Sequence, residues 1–267
     1  TMFLDENGVP FMGGTYFPKL PKHGLPSFKE VLEKVSAAYK EQRENIIKQK
    51  DLIIKNLDLK KNSVLNQDLK PILDMLLSQL DVKHGGYRGA PKFPTFNLYE
   101  TLLYFYNNTK NKIYLDPVNL IIKQICSKGI YDQVEGGISR YTVDENWIIP
   151  HFEKMLYDNT QFIMLLSKYC KINANDYFKF KLEQTIEFLK KNFLNKEGFL
   201  GSAFDADSDG VEGKYYVFDY NEIKGIKNIE NYFEITPNGN WENKIILVEK
   251  ERPPVEILKK LLEIRSK

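Results

Sequence analysis

The sequence predicts a mainly α-helical protein made of helical hairpins in series, preceded by a short α/β segment. Apolar residues recur at helical spacing through most of the chain after residue 66. Two short strand-like segments flank Asn7-Gly8, a pair that favours the positive φ angles of a tight hairpin turn. Long loops rich in glycine, tryptophan and charged residues separate the helical segments, and such loops are usually functional.

Composition excludes two classes of partner. The 267 residues carry 38 Lys+Arg against 36 Asp+Glu, without a basic block interleaved with aromatics, so we expect no nucleic acid. The apolar run 162–170 is far shorter than the about 20 residues that a membrane helix needs. We therefore expect a cytoplasmic protein without a membrane partner. Cys126 and Cys170 form no CxxC, and we expect both to be reduced and buried.

The N-terminal segment is predicted to be a hairpin covered by one helix. An isolated hairpin is marginally stable, so these strands are expected to need a sheet supplied by a preceding segment. Ser27 and Glu30 form a capping box, and apolar residues recur at helical spacing from there to Ile46. The lysine- and asparagine-rich run 51–66 marks a boundary, which we place so that the domains are residues 1–58 and 59–267.

The second domain is predicted to contain helices at the following segments: 69–80, 97–106 with Asn97 as N-cap, 116–129 ending at Gly129, 157–172, 175–194, and a short one after Pro253-Pro254. The loops 81–96, 131–154 and 198–218 connect them. If the helices pair around a common axis, these loops gather at one end, over a central funnel.

Five motifs in this order resemble a known family: GGTYFPK, GGYRGAPKFP, GGISRYTVDENWIIPHFEKMLYDN, DADSDGVEGKYYVF and GNWENKIIL. Together they are similar to the YyaL-type thioredoxin-domain proteins, relatives of the spermatogenesis-associated thioredoxin-like proteins. The resemblance implies a thioredoxin-like domain followed by an (α/α) toroid like that of six-hairpin glycosidases and N-acylglucosamine 2-epimerases. Residues 1–58 then correspond to the last hairpin and helix of the first domain, and 59–267 to the first part of the toroid.

The chain departs from that family in two respects. The paired cysteines usual in such proteins are absent, so no redox role carries over to any residue, and no cofactor is expected. The sequence predicts roughly half of the about dozen helices of a full toroid. We therefore expect either a longer polypeptide, or a partner chain or self-association that covers the exposed helix faces.

Residues 148–159 contain the principal candidates for catalysis. A helix beginning at Pro150 would place His151 and Asp158 on one face and Glu153 on a neighbouring one. His151 is then a candidate general acid or base. Glu153 or Asp158 would orient its imidazole or accept its proton. Alternatively, these side chains only satisfy backbone groups at a loop-to-helix junction.

Candidate substrate-binding residues lie in the loops beside this stretch. Arg140, with Tyr141 and Asp144, suits a clamp for a carboxylate or hydroxyl group, and Trp147 suits a stacking platform for a sugar ring. A buried Arg–Asp brace and a core indole explain these residues as simply, and we favour the brace. Lys92 is a candidate for anion binding, but its glycine-rich loop has no phosphate-loop spacing, and a rigid turn is the better interpretation.

The segment DADSDG permits two interpretations. Asp205, Asp207, Asp209 and Gly210 fit the first positions of a calcium loop, but Tyr216 stands where that loop needs a bidentate glutamate. We prefer Asp205 and Asp207 as catalytic carboxylates facing the funnel, without a metal. On this interpretation Glu212 and Lys214 pair across a tight hairpin. An Asx-rich turn without a ligand is the alternative.

The resemblance to toroids of sugar enzymes, together with these candidate residues, implies a carbohydrate-active enzyme, an epimerase, isomerase or hydrolase, that transfers protons on a small sugar. The alternatives are a non-catalytic scaffold that binds a ligand or a protein, and a redox-linked or chaperone role of an intact parent protein. The absence of a CxxC motif argues against the last one.

Overall fold

The computed structural model describes residues 1–22, 24–57 and 69–266. The chain divides into two compact units, Thr1–Asp68 and Leu69–Lys267. The boundary that we predict at residue 58 lies outside the described residues. Helices dominate the described part of the chain, which confirms the mainly α fold class.

The first unit contains the predicted hairpin. Strand β1 (Met2–Leu4) pairs antiparallel with β2 (Pro10–Gly13), and Gly8 in the connecting turn has φ +76°. Helices α1 (Phe28–Glu41) and α2 (Arg43–Leu57) follow. The Ser27 hydroxyl accepts the N–H of Glu30, whose carboxylate accepts the N–H of Ser27, so the capping box is confirmed. The single helix expected through Ile46 is wrong, because Gln42 leaves the helical conformation and separates α1 from α2.

The second unit begins with helical hairpins. Its first helices are α3 (Lys70–Ser78), α4 (Phe96–Thr109), α5 (Lys112–Ser127), α6 (Leu156–Ile172) and α7 (Asp176–Phe188), and a π-helical turn, Leu189–Phe193, follows α7. Helix α4 packs on α5, α6 on α7, and α4 on α6, which is the serial hairpin arrangement that the periodicity predicts. The centre of this core consists of fully buried side chains: Leu102, Val118, Ile121, Ile125, Phe162 and Leu165.

Several predicted helix ends are wrong. Helix α4 begins at Phe96, because Thr95 rather than Asn97 takes the N-cap position, in a left-handed conformation. Helix α5 begins four residues earlier than expected, because the Asn111 side chain accepts the N–H of Ile113 and caps it there. It ends at Ser127, before Gly129.

Short strands and small helices complete the second unit. Strand β3 (Lys154–Met155) pairs with β4 (Ala203–Phe204), and β5 (Asp207–Ser208) pairs with β6 (Val211–Glu212). Helices α8 (Tyr220–Ile223), α9 (Ile229–Tyr232) and α10 (Val255–Arg265) surround a second apolar core. Of the helices that the structure describes, none combines the length and apolarity needed to cross a bilayer.

Candidate functional site

The stretch 148–159 does not start a helix at Pro150, as the sequence led us to expect. The His151 N–H donates to the Tyr141 carbonyl (3.0 Å), and the Arg140 N–H donates to the Glu153 carbonyl (2.9 Å). This extended pairing satisfies backbone groups that a helix would have used, so α6 begins only at Leu156. The predicted shared face of His151 and Asp158 therefore does not form.

The extended pairing instead places His151 in a stack of aromatic rings. Its imidazole lies parallel to the Tyr141 ring, with the centroids 4.8 Å apart, and Tyr141 in turn contacts the Phe93 ring at 4.8 Å. The Nδ1 atom of His151 lies 3.2 Å from Oε1 of Glu212 on β6. A histidine–carboxylate pair beside partly exposed aromatic rings is thus the central feature of the site.

A second polar group lies at the start of α6. Arg140 Nη1 is 3.4 Å from Glu153 Oε2, and this pair acts electrostatically on Asp158. Burial raises the pKa of Asp158 to about 6, an effect that Arg140 opposes and Glu153 reinforces. Oδ2 of Asp158 is buried and has no hydrogen-bond partner in the described part of the chain. Asp158 therefore exchanges its proton at a higher pH than an ordinary carboxyl group.

Glu212 connects the histidine to a pocket. The carboxylate lies on the wall of a cavity of about 460 Å³, within the size range of small-molecule sites. Trp241 and Tyr215 line the same cavity, and the Trp241 ring packs on Phe152 at 5.1 Å. Our sequence reasoning missed Glu212 and Trp241 as site residues. The signal for Trp241 was the motif GNWENKIIL, which we used only for the family resemblance.

Asp205 and Asp207 do not line the cavity beside Glu212. They line a separate cavity of about 340 Å³ together with Phe204 and Tyr215. Asp207 pairs in register with Glu212 across the β5–β6 hairpin, so this hairpin carries residues of both cavities. The predicted catalytic carboxylates are therefore not all brought together with His151.

The expected pairing of Glu212 with Lys214 is wrong. Lys214 Nζ instead contacts Asp209 Oδ2 at 2.7 Å, and Glu212 contacts His151. Within residues 1–22, 24–57 and 69–266, no group of three or more His, Cys, Asp or Glu side chains is arranged to hold a metal ion.

Lys92 and Trp147 are buried. Lys92 Nζ is held by Asp81 Oδ2 (2.6 Å) and by the Gly85 carbonyl (2.8 Å). The Trp147 ring is fully buried, and its indole N–H donates to the His84 carbonyl at 2.8 Å. The core-indole alternative therefore describes Trp147, and the contacts of Lys92 are those of a loop brace.

Asp144 organises its own loop. Its carboxylate accepts the backbone N–H groups of Ile148 (3.1 Å) and Ile149 (2.5 Å). The expected brace between Asp144 and Arg140 is wrong, since Arg140 pairs with Glu153. Arg140 and Tyr141 remain beside the histidine as candidate ligand contacts.

A buried ion-pair network anchors this loop to the C-terminal helix. Asp132 accepts from Lys154 Nζ (3.1 Å), and both of its oxygens accept from Arg265 Nη1 on α10 (3.0 and 2.9 Å). Although burial opposes it, the two cations hold the pKa of Asp132 well below its usual range. No sequence signal connects residues this far apart, so our reasoning missed the network.

Comparison with known proteins places the chain beside the family that its motifs indicate. Residues 1–58 match the Thioredox_DsbH family model, a protein of unknown function, DUF255. The chain is 29% identical to the uncharacterized protein B0495.5 of Caenorhabditis elegans, over 90% of this chain and 37% of that protein. It is 29% identical to human spermatogenesis-associated protein 20, over 84% of this chain and 31% of that protein. These matches confirm the resemblance, and the chain spans about a third of the length of these curated relatives.

Two solved structures are similar to about half of this chain. A sugar epimerase from a ruminal bacterium matches 50% of this chain and 37% of its own, with TM-score 0.43 and 21% identity. The cellobiose 2-epimerase of Spirochaeta thermophila matches 52% of this chain and 42% of its own, with TM-score 0.44 and 19% identity.

Proposed function

We propose that the second unit binds a small sugar-type molecule beside His151, and that His151, oriented by Glu212, transfers a proton to or from it. The observation that carries this proposal is the 3.2 Å contact between His151 Nδ1 and Glu212 Oε1, with the imidazole stacked on Tyr141. A carboxylate on one ring nitrogen fixes the orientation of the imidazole and leaves Nε2 for a ligand.

The surroundings of this pair favour a polyhydroxylated ring as the ligand. A sugar ring has an apolar C–H face, which packs on aromatic side chains, and hydroxyl groups, which donate to carboxylates. The cavity beside Glu212 offers Trp241 and Tyr215 for the first kind of contact and several carboxylates for the second. Its volume of about 460 Å³ accommodates a small ligand of this class.

Asp158 is the second candidate for proton transfer. Its pKa of about 6 keeps a protonated fraction available close to neutral pH, and a carboxyl group in this range works both as acid and as base. Glu153 would influence Asp158 through Arg140, whose Nη1 lies 3.4 Å from Glu153 Oε2. Removal of a proton next to a carbonyl group leads to epimerisation or isomerisation, whereas protonation of a glycosidic oxygen leads to hydrolysis.

The test is solvent hydrogen exchange. Reducing sugars are incubated with the protein in D₂O, and loss of the proton signal next to the carbonyl carbon is followed by NMR, with a parallel assay for released reducing ends. We expect His151→Ala to slow the exchange or release at least about 100-fold, because general acid–base catalysis contributes factors of this order. His84→Ala, in the loop 81–96, is the matched control and should keep the rate. An unchanged rate in His151→Ala contradicts the proposal.

A non-catalytic scaffold is the second candidate. The side chains of His151 and Glu212 are 34% and 49% exposed, whereas catalytic pairs are usually shielded from water. In that case sugars bind and raise the melting temperature, but no exchange or hydrolysis accompanies binding.

The cysteines do not favour a redox role for the second unit. Burial raises the pKa of the Cys126 thiol to about 12, and burial also raises the pKa of Cys170. Thiols of this kind carry little reactive thiolate.

A further inference from the structure

The cavity beside Glu212 is lined by more carboxylates than cations. Its acidic side chains are Glu212, Asp219, Glu222 and Glu242, and its basic ones are Lys214, Lys244 and Arg265. The net charge that a ligand encounters in the cavity depends on which of these side chains already form ion pairs with neighbours.

All three cations are held by carboxylates. Lys214 Nζ contacts Asp209 at 2.7 Å, and Lys244 Nζ contacts both oxygens of Asp219 at 2.9 Å. Arg265 is buried against Asp132. A phosphate or carboxylate on a ligand would therefore have to displace an existing ion pair to gain a partner here.

The acidic side chains are less engaged. Glu212 contacts His151, and Glu222 accepts the backbone N–H of Asp219 at 2.9 Å. Glu242 makes no ion pair or side-chain hydrogen bond with the residues that the structure describes. Because no lysine or arginine of the described residues pairs with Glu212, Glu222 or Glu242, these three leave an excess of negative charge on the wall that also holds Trp241.

Glu242 occupies a backbone position that glutamate rarely takes. Trp241 and Lys244 exchange backbone hydrogen bonds (3.2 and 2.7 Å) around Glu242 and Asn243, which have φ +47° and +61°. Two consecutive positive φ values define a type I′ turn, whose first central position favours asparagine, aspartate or glycine. The turn places Glu242 next to Trp241 on the cavity wall at a conformational cost.

We propose that the ligand of this cavity is a sugar-type ring that carries a protonated amine, and that Glu242 is the specificity-determining residue that receives the amine. This inference rests on the proposed sugar binding and names the charge of the ligand. Uncharged sugars bind more weakly because they gain no ion pair with Glu242, whose side chain is exposed, and acidic or phosphorylated sugars are repelled.

The experiment compares four probes: glucosamine, N-acetylglucosamine, glucose and glucuronate. Calorimetric titration gives each Kd, and a change in tryptophan fluorescence, to which Trp241 on the cavity wall contributes beside the buried Trp147, reports occupancy of the cavity. We expect a Kd for glucosamine about fivefold lower than for the two neutral sugars, as for one partly exposed ion pair, and the weakest binding for glucuronate. N-acetylglucosamine has a similar shape without the charge, so it separates charge from steric fit. Added salt should reduce the preference.

Two variants complete the test. Glu242→Gln should equalise the Kd values of glucosamine and N-acetylglucosamine, whereas Glu197→Gln, the same charge change at an exposed position outside the cavity, should keep the preference. A preference that survives Glu242→Gln, equal binding of glucose and glucosamine, or glucuronate binding as tightly as glucosamine, overturns the inference and leaves the proposed sugar binding intact. Absence of binding for all four probes overturns both.

Discussion

Phe152 determines where His151 and Glu153 point. It adopts φ +62°, and the Glu153 N–H donates to the His151 carbonyl at 2.9 Å across it, which closes a three-residue turn. The Phe152 ring is buried against Tyr216 and Trp241, while the residues on either side of it stay partly exposed. The geometry of the histidine site thus depends on an apolar anchor that has no chemical role of its own.

Phe152→Ala is therefore expected to lower the free energy of unfolding by about 3–5 kcal/mol and to weaken ligand binding, because a buried aromatic ring is replaced by a cavity. Denaturant unfolding measures the first effect and sugar titration the second. Phe199→Ala, which removes an exposed ring, is the control and should change neither. Equal stability of both variants would show that Phe152 does not anchor the turn.

Asp158 should make stability depend on pH in an unusual direction. Its pKa is raised from 3.8 to about 6 in the folded protein, so folding favours the protonated form. Its stabilising effect is therefore fully present below about pH 4 and is lost as the pH rises through about 6.

Asp158→Asn should remove this dependence and raise the free energy of unfolding at pH 7 by about 1–2 kcal/mol, discounted for partial solvent screening. Urea unfolding of both proteins at pH 5 and pH 8 measures it, and we expect the difference between them to be larger at pH 8. A difference that is the same at both pH values contradicts the assignment.

At the scale of elements, loops rather than helices carry the site, and buried charges attach those loops to helices. Lys154 on β3 and Arg265 on α10 both bind Asp132, and all three side chains are almost completely buried. Lys181 on α7 forms a similar buried pair with Glu249 at 2.7 Å. Removal of one member leaves an uncompensated charge in a medium of low polarity.

Lys154→Met should consequently lower the free energy of unfolding by about 3–5 kcal/mol. The matched control is Lys190→Met, because Lys190 pairs with Glu187 at the surface, where the two side chains are 64% and 70% exposed; its expected loss is below about 1 kcal/mol. Thermal and denaturant unfolding measure both. Similar losses in the two variants would mean that burial does not decide the effect.

A substitution in the type I′ turn at Glu242 should change stability and ligand preference in opposite directions. Glu242→Asn places a residue that tolerates positive φ there and should raise the free energy of unfolding by about 0.5–1 kcal/mol. If Glu242 receives an amine, the same variant should lose the preference for glucosamine. Unfolding and titration of a single preparation test the two effects together, and a loss of stability would contradict the strain argument.

For the whole molecule, the second unit contains the site residues and apolar cores of its own. We therefore expect the segment 69–267 alone to unfold cooperatively and to bind sugars with the affinity of the full chain. Calorimetry of the two proteins with and without glucosamine measures this. A broad transition without a ligand effect would show that the second unit depends on the first.

Local signals in the sequence were sufficient for the first hairpin and for the long helices of the second unit. Helical periodicity predicts the paired helices of the second unit, and Ser27 with Glu30 predicts the start of α1. Helix ends were less predictable, since Thr95 caps α4 in a conformation that no residue preference indicates. The dense charges of 148–159 indicate the region that we propose as the site, but they do not indicate which side chains contact one another there.

The sequence by itself therefore determined the class of the fold, the family resemblance and the loop that holds the histidine, because these depend on short-range patterns. Only the tertiary structure decided that His151 meets Glu212, that Trp147 is buried while Trp241 lines a cavity, and that Asp205 and Asp207 lie in another one. The physical reason is that these contacts join residues about 60 positions or more apart, or depend on backbone pairing between loops. Neither kind of contact produces a periodic pattern in the sequence.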